Sequence, residues 1–236
     1  MQNILLPNHS FIHIKEVDST NSECRRLWDK NQTPWVVVAD SQTQGRGRHG
    51  RTWESSSNQN LYLSMIHKNP FQKQIGLLNL YFGVVIYETI EELFGNFQNN
   101  LTLKWPNDLY IGDKKIAGIL LESLDISFKY IIFGVGINLV DENIPETATS
   151  LFAKTTPIEH GRENIVQRLV YKLDNAQALH NISILLNKFQ KYSARTREYE
   201  YLYHAPHYKY KAKLHEIFPD GTIDICQDGK IISLKN

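Results

Sequence analysis

The sequence predicts an α+β protein in which a mixed β-sheet packs on helices and a small β unit follows at the C-terminal end. Three observations carry that reading. Short apolar or alternating runs of strand length recur between residues 11 and 139. One apolar segment, residues 75–94, is too long for a strand and repeats at helical spacing. From His207 onward the pattern changes to three short strands with glycine-containing turns.

Taken in order, FIHIKEV (11–17) alternates and reads as a strand. DSTN follows, where Ser19 or Thr20 is suited to cap a helix over roughly 21–31. WVVVAD (35–40) is a continuous apolar run, as expected of a strand buried on both faces. NLYLSMIH (60–67) is a strand, and Ile75, Leu78, Phe82, Val85, Thr89 and Leu93 mark a central buried helix over 75–94. Residues 101–123 read as strand, turn, strand, turn, strand, punctuated by Pro106–Asn107 and Gly112–Asp113. KYIIFGVGINL (129–139) is a strand ending in small residues, residues 141–160 form a polar loop, and two helices occupy roughly 162–195. The tail supplies YKYKAKLHEI, GTIDIC and GKIISL as its three strands. The expected division is therefore 1–203 for the main domain and 204–236 for the small β domain.

A chain of 236 residues can bury a sizeable core. Its 26 lysines and arginines against 25 aspartates and glutamates give a net charge of +1, too balanced for a protein that holds nucleic acid over its whole surface. Cys24 and Cys226 are far apart and match no disulfide framework or metal-ligand spacing, which points to a reducing, cytoplasmic setting and to no protein-held metal. No signal peptide and no membrane-spanning run of about 18 apolar residues is recognisable.

The chemistry concentrates in SQTQGRGRHGRTW (41–53), where Arg46, Arg48 and Arg51 alternate with Gly45, Gly47 and Gly50. Such a run cannot pack a core. Glycines leave backbone N–H groups open to an anion, and guanidinium forks match phosphate and carboxylate oxygens while staying charged. By default it is a solvated basic loop, and an RGG-like nucleic-acid contact is a second reading. KWPND (104–108), KIAGIL (115–120) and GVGIN (134–138) each have a bland explanation alone: turn residues, a surface lysine, a strand bulge. A strand end of small residues nevertheless leaves room for a flat ligand beside the sheet.

Together and in this order the segments resemble the biotin protein ligases. The family's marks stand here as STN (19–21), QTQGRGRHGR (42–51), NLYLS (60–64), KWPND (104–108), KIAGILLE (115–122) and GVGIN (134–138), covering roughly residues 11–140. The resemblance implies a class II synthetase-like catalytic domain followed by an SH3-like β unit. It implies a ligase that joins biotin and ATP, with Mg2+ on the nucleotide, into biotinyl-5′-AMP and then biotinylates one lysine of a biotin carboxyl carrier protein or another acceptor domain.

By that likeness Ser19, Thr20 and Asn21 hydrogen-bond the ureido head of biotin and Gln42 lies beside it. Arg46, Gly47 and Arg48 close over the biotin carboxylate and the α-phosphate, Lys115 neutralises charge between those anions, and Gly136 lines the biotin slot. The catalytic set is Arg46, Arg48 and Lys115. For ATP the candidates are Arg48, Arg51, Trp53 as a lid over adenine, Asn107 and Asp108 toward phosphates or magnesium, Lys115 and Asn138. The loop over 43–52 is expected to be mobile when empty and ordered around ligand. No dedicated base for the second step stands out.

Some members of the family carry an N-terminal helix-turn-helix. About ten residues precede the first strand here, so no DNA-binding role is expected. The tail ends at ISLKN, where the family's barrel usually has a further strand, so a truncated barrel is expected. Monomers and homodimers both occur in the family. The alternatives are a lipoate-type ligase and a non-enzymatic nucleic-acid binder acting through the Arg/Gly loop.

Overall fold

The computed structural model describes residues 4–55, 58–72, 74–95, 100–152, 161–194, 198–201 and 208–235. The chain groups into two compact units, Met1–Asn69 with Asp113–Asn175, and Pro70–Gly112 with Ala176–Asn236.

The first unit is built on five strands: β1 (Ser10–Val17), β2 (Trp35–Gln42), β3 (Leu61–Lys68), β6 (Lys114–Ser123) and β7 (Tyr130–Ile137). Their order is β1-β2-β3-β7-β6. β1 and β2 are parallel and the other pairs antiparallel, the mixed sheet the sequence predicts. β7 is buried almost throughout and β2 over Val36–Ala39, which is why these stretches read as continuous apolar runs rather than alternating ones.

Helix α1 (Thr20–Asn31) packs against β2, β3 and β7, with Cys24 buried among Val37, Ile66 and Ile132. It starts one residue earlier than predicted. Ser19 holds the cap position, yet its side chain makes no capping bond. Asp18 does related work instead: its carboxylate accepts from the Ser19 N–H at 2.7 Å and is gripped by both terminal nitrogens of Arg26 at 2.7 and 3.0 Å. The Arg26 pairing holds the Asp18 carboxyl down at about 2.

Helix α3 (Gly161–Asp174) is fastened through Arg162, which donates to Asp40 at 2.8 Å and to the carbonyls of Ala39 at 2.9 Å and Asn58 at 2.5 Å. His13 meets the same Asp40 oxygen at 2.8 Å. Burial works against a charge on Asp40, and the Arg162 and His13 bonds outweigh it to keep the carboxyl below its usual range.

The second unit holds α2 (Gly76–Phe94), α4 (Ile182–Ser193) and the hairpin β4 (Leu101–Lys104) and β5 (Asp108–Ile111). α2 is buried around most of its circumference, including Leu77, Leu78, Tyr81, Phe82, Val85 and Ile86, so its apolar face is too wide for a simple amphipathic stripe. It packs on α4, where Leu185 and Phe189 are buried and Tyr192 stacks on Tyr87 at 4.0 Å.

The tail forms a three-stranded antiparallel sheet, β10 (Lys213–Ile217), β11 (Ile223–Gln227) and β12 (Lys230–Leu234). Asp228 and Gly229 both take positive φ, 51° and 76°, so a two-residue mirror-type turn joins β11 to β12. The run YKYKAKLHEI is not one strand. β9 (Tyr208–Lys211) pairs with β8 (Glu198–Tyr201), a strand the sequence pattern did not disclose, and β10 begins after Ala212. Trp105 Nε1 donates to the Gly221 carbonyl at 3.0 Å, fixing the β10–β11 turn to the KWPND corner. Among the described residues no helix is long and apolar enough to cross a membrane.

Candidate functional site

Cross-strand register explains where the site forms. Residues directly opposite one another share a sheet face, and successive rows on that face lie two residues apart, about 7 Å. One row reads Ala39, Tyr62, Gly136, Gly118; the next Val37, Ser64, Gly134, Leu120; the third includes Ile66, Ile132 and Glu122. Glycines at three positions in adjacent rows leave a trough on the face that carries α1.

Side chains of the first unit fill that trough. The Asn21 amide stands over Gly134 so closely that a Cβ there would overlap its Oδ1. The Trp53 indole lies against Gly136 in the same way, and a Cβ on Gly118 would meet both the indole and Lys115 Nζ at 2.9 Å. Lys115 Nζ sits 5.2 Å from the centroid of the Trp53 ring, a cation–π distance. The flat group beside the small residues of β7 is thus the protein's own Trp53. Its Nε1 is buried with no hydrogen-bond partner among the described residues.

Ser19, Thr20 and Asn21, all buried, open α1 beside this trough. Gln42, at the end of β2, accepts at Oε1 from the Thr20 N–H at 2.8 Å and the Thr20 hydroxyl at 3.1 Å. Gln42 Nε2 donates to Ser55 Oγ at 2.9 Å, and Ser55 donates to the Trp53 carbonyl at 3.0 Å. Ser64, fully buried, lies 2.7 Å from Thr20 Oγ1 and 2.5 Å from Asn21 Oδ1. A hydroxyl has one hydrogen, so Ser64 donates to one of the two at a time. The result is an uncharged pocket with several acceptors and few protons.

The arginine segment folds as a hairpin above this pocket. Residues 42–46 run out and 51–55 return, bonded from Gln42 N to the Ser55 carbonyl, from Trp53 N to the Gly45 carbonyl and from Gly47 N to the Arg51 carbonyl. Gly45 is required because a Cβ would collide with the Trp53 carbonyl. Arg48, His49 and Gly50 form the tip, where His49 and Gly50 take φ of 56° and 74°. Arg46 leaves the outgoing arm and donates to Ser22 Oγ at 2.9 Å and to the Glu122 carboxylate at 3.1 and 3.2 Å. Glu122 Oε2 also accepts from Asn21 Nδ2 at 2.8 Å.

The structure therefore brings together Ser19, Thr20, Asn21, Gln42, Arg46, Trp53, Lys115 and Gly136, with Gly47, Arg48 and Arg51 on the hairpin above them. Asn138 is buried and its amide donates to the Thr149 carbonyl at 3.2 Å, holding the segment that follows β7. Asn107 and Asp108 belong to the second unit, Asp108 opposite Lys104 in the β4–β5 hairpin. Ser22, Ser55, Ser64 and Glu122 also join the site and were not singled out from sequence. Ser64 and Glu122 ended quoted motifs, and a buried serine two residues from Tyr62 on one strand face was the available signal. Among the described residues no group of three or more His, Cys, Asp or Glu could hold a metal ion.

An uncharged hydrogen-bonding pocket beside a cationic hairpin suits a ligand with a polar neutral head and an anionic end. The chain belongs to the biotin/lipoate A/B protein ligase family, which matches residues 13–138. Among individual relatives, the bifunctional ligase/repressor BirA of Salmonella typhimurium is 33% identical over 186 residues, 74% of this chain and 57% of that protein. The biotin--[acetyl-CoA-carboxylase] ligase of Mycobacterium tuberculosis is 33% identical over 144 residues, 59% of this chain and 52% of that protein. The biotin protein ligase of Aquifex aeolicus, solved in complex with biotin and ATP, superimposes with a TM-score of 0.76 at 28% identity over 95% of both chains. The chain spans little more than half the length of the two curated relatives.

Proposed function

We propose that the chain is a biotin protein ligase. It joins biotin to MgATP, releasing pyrophosphate, and passes the biotinyl group to a lysine of a biotin carboxyl carrier protein or a similar acceptor domain. The observation that carries this reading is the meeting, on one sheet face, of the uncharged pocket of Thr20, Asn21, Gln42 and Ser64 with the arginine hairpin. A ureido head offers one carbonyl and two N–H groups. The acceptors Gln42 Oε1 and Asn21 Oδ1 suit the N–H groups, and the Ser19 hydroxyl, or those of Thr20 and Ser64 once rotated away from Gln42, Thr20 and Asn21, suits the carbonyl.

In the first step a carboxylate oxygen of biotin bonds to the α-phosphorus, and the bond from that phosphorus to the bridging oxygen breaks, releasing pyrophosphate. Two anions must approach, so cations fixed in advance lower the barrier. Lys115, Arg46 and Arg48 take that role. Gly47 lets the hairpin backbone come close, and Gly136 floors the slot. For the nucleotide, Trp53 turns toward adenine, and Arg51 and Arg48 face phosphates. Asn138 contributes by holding the strand end after β7. In the second step the neutral acceptor amine attacks the acyl carbon and AMP leaves. Closeness and the reactivity of the anhydride drive this without a dedicated base.

We assign this chemistry to residues 1–203 and treat 204–236 as the small C-terminal β domain. The net charge of +1 supports an acceptor-protein partner over specific DNA binding, and two unpaired, distant cysteines support a cytoplasmic setting. A homodimer paired along the sheet edge is a further state to examine by sedimentation.

The test weighs an acceptor domain by mass spectrometry after incubation with the protein, MgATP and either biotin or lipoate. A single biotin-sized increase that needs ATP is expected. A lipoyl increase instead moves the chain to the lipoate side of its family, and no increase with no pyrophosphate release rejects the ligase reading.

A further inference from the structure

One carboxylate in this site serves two groups that come from opposite ends of the ligand's path. Glu122 sits near the end of β6, in the row beyond Gly134 and Leu120. Its Oε2 takes the Asn21 Nδ2 at 2.8 Å, and both of its oxygens lie within 3.2 Å of Arg46 Nη2. We propose that Glu122 is a positioning residue, holding the Asn21 amide in the head pocket and the Arg46 guanidinium of the hairpin in one arrangement, so that the pocket and the hairpin are set together. The proposal rests on the biotin-ligase reading for its effect on catalysis.

The chemistry of each bond supports it. An ionised carboxylate only accepts, so it must take the NH2 side of Asn21 and thereby turn Oδ1 toward Ser64 and the pocket. Without that partner a primary amide can flip, exchanging an acceptor for a donor where a ureido N–H must bind. Arg46 lies between Gly45 and Gly47, whose backbones bond to the hairpin's returning arm and which have no side chains to tie the hairpin to the sheet or to α1. Its guanidinium fork instead reaches Ser22 at the first turn of α1 and Glu122 on β6. The hairpin's outgoing arm is therefore pinned through a side chain, and Glu122 is the charged half of that pin. The pair is partly open to water, with Arg46 41% and Glu122 30% exposed, so the effect is one of placement rather than of global stability.

Two measurements on Glu122→Gln and Glu122→Asp test this. In the ligand-free protein, Glu122→Gln is expected to speed tryptic cleavage after Arg46, Arg48 and Arg51 about tenfold while cleavage elsewhere and Tm hold. In biotin-dependent pyrophosphate release it is expected to raise KM for biotin about tenfold, through the head pocket, and to lower kcat about tenfold as well, through Arg46, a joint change at unaltered Tm that general destabilisation does not produce. Glu122→Asp keeps the charge one methylene short and is expected to fall between. Unchanged hairpin cleavage overturns the proposal, as does a loss confined to kcat. If the unaltered protein releases no pyrophosphate with biotin, the ligase reading fails, and the proteolysis still decides whether Glu122 pins the hairpin. If Glu122→Gln does not fold, Arg46→Gln must reproduce the faster cleavage of the remaining hairpin sites; if it does not, the proposal falls.

Discussion

The indole of Trp53 lies against Gly136, at a point where any side chain on the strand would overlap the ring. One aromatic residue from a hairpin and one glycine from the sheet thus complement each other in shape, with Lys115 beside the ring. The same relationship makes the slot sensitive to a single methyl group. Gly136→Ala is expected to push the indole out and to cost about 1–3 kcal/mol, as overpacking usually does. Tryptophan emission should shift to the red, and the shift should vanish in a Trp53→Phe background. An unshifted spectrum with an unchanged Tm would show that the ring does not rest there in solution.

Ser64→Ala removes the hydroxyl shared by Thr20 and Asn21 inside a fully buried corner. Leaving such groups without a partner costs about 1–3 kcal/mol. Calorimetric titration should find biotin binding weakened by about tenfold or more on that basis, while Ser64→Cys, similar in size, should restore packing without restoring affinity.

Lys115→Ala should lower biotin-dependent pyrophosphate release by about 10²–10³, the loss typical of one preorganised charge at a developing anion. Arg48→Ala is expected to act later. It should let the adenylate escape, so that bystander proteins become biotinylated on many lysines, and a mass spectrum of added albumin would reveal it. Clean, acceptor-only labelling by that variant would remove Arg48 from its assigned place.

The Asp18 carboxyl, held at about 2 by Arg26, gives a pH signature. A folded-state value below the ordinary unfolded one of about 3.9 contributes stability that is fully present above pH about 4 and is lost as pH falls through about 2. Urea titrations of the protein and of Asp18→Asn should therefore differ by a constant amount above that window, and the two curves should converge below it. A gap that keeps its full size at pH 2 would mean that another group carries the effect.

The strands β2, β3 and β7 and helix α2 were legible because burial writes itself into apolar patterning, and β1 because its residues alternate. Thr20, Asn21 and Gln42 were legible as short polar residues beside strand ends, and the motifs ordered them. Ser64 and Glu122 were not, since their roles depend on register: Ser64 opposite Gly134, and Glu122 opposite Ile132 one row on. Nothing local distinguishes such a glutamate from a solvated one. Arg162 was missed for a similar reason, because its three partners, Asp40, Ala39 and Asn58, lie more than a hundred residues away in sequence. β8 escaped notice because its partner β9 had been merged with β10 into one run.

The two cysteines end up in opposite circumstances. Cys24 is sealed in the core beneath α1, where burial pushes its thiol far up, and Cys226 on β11 is partly open. A maleimide dye added to the native protein should therefore attach at a single place, on the small sheet of the tail. The chain carries its own spectroscopic handle, and its motions with and without substrate can be followed with no engineered cysteine at all.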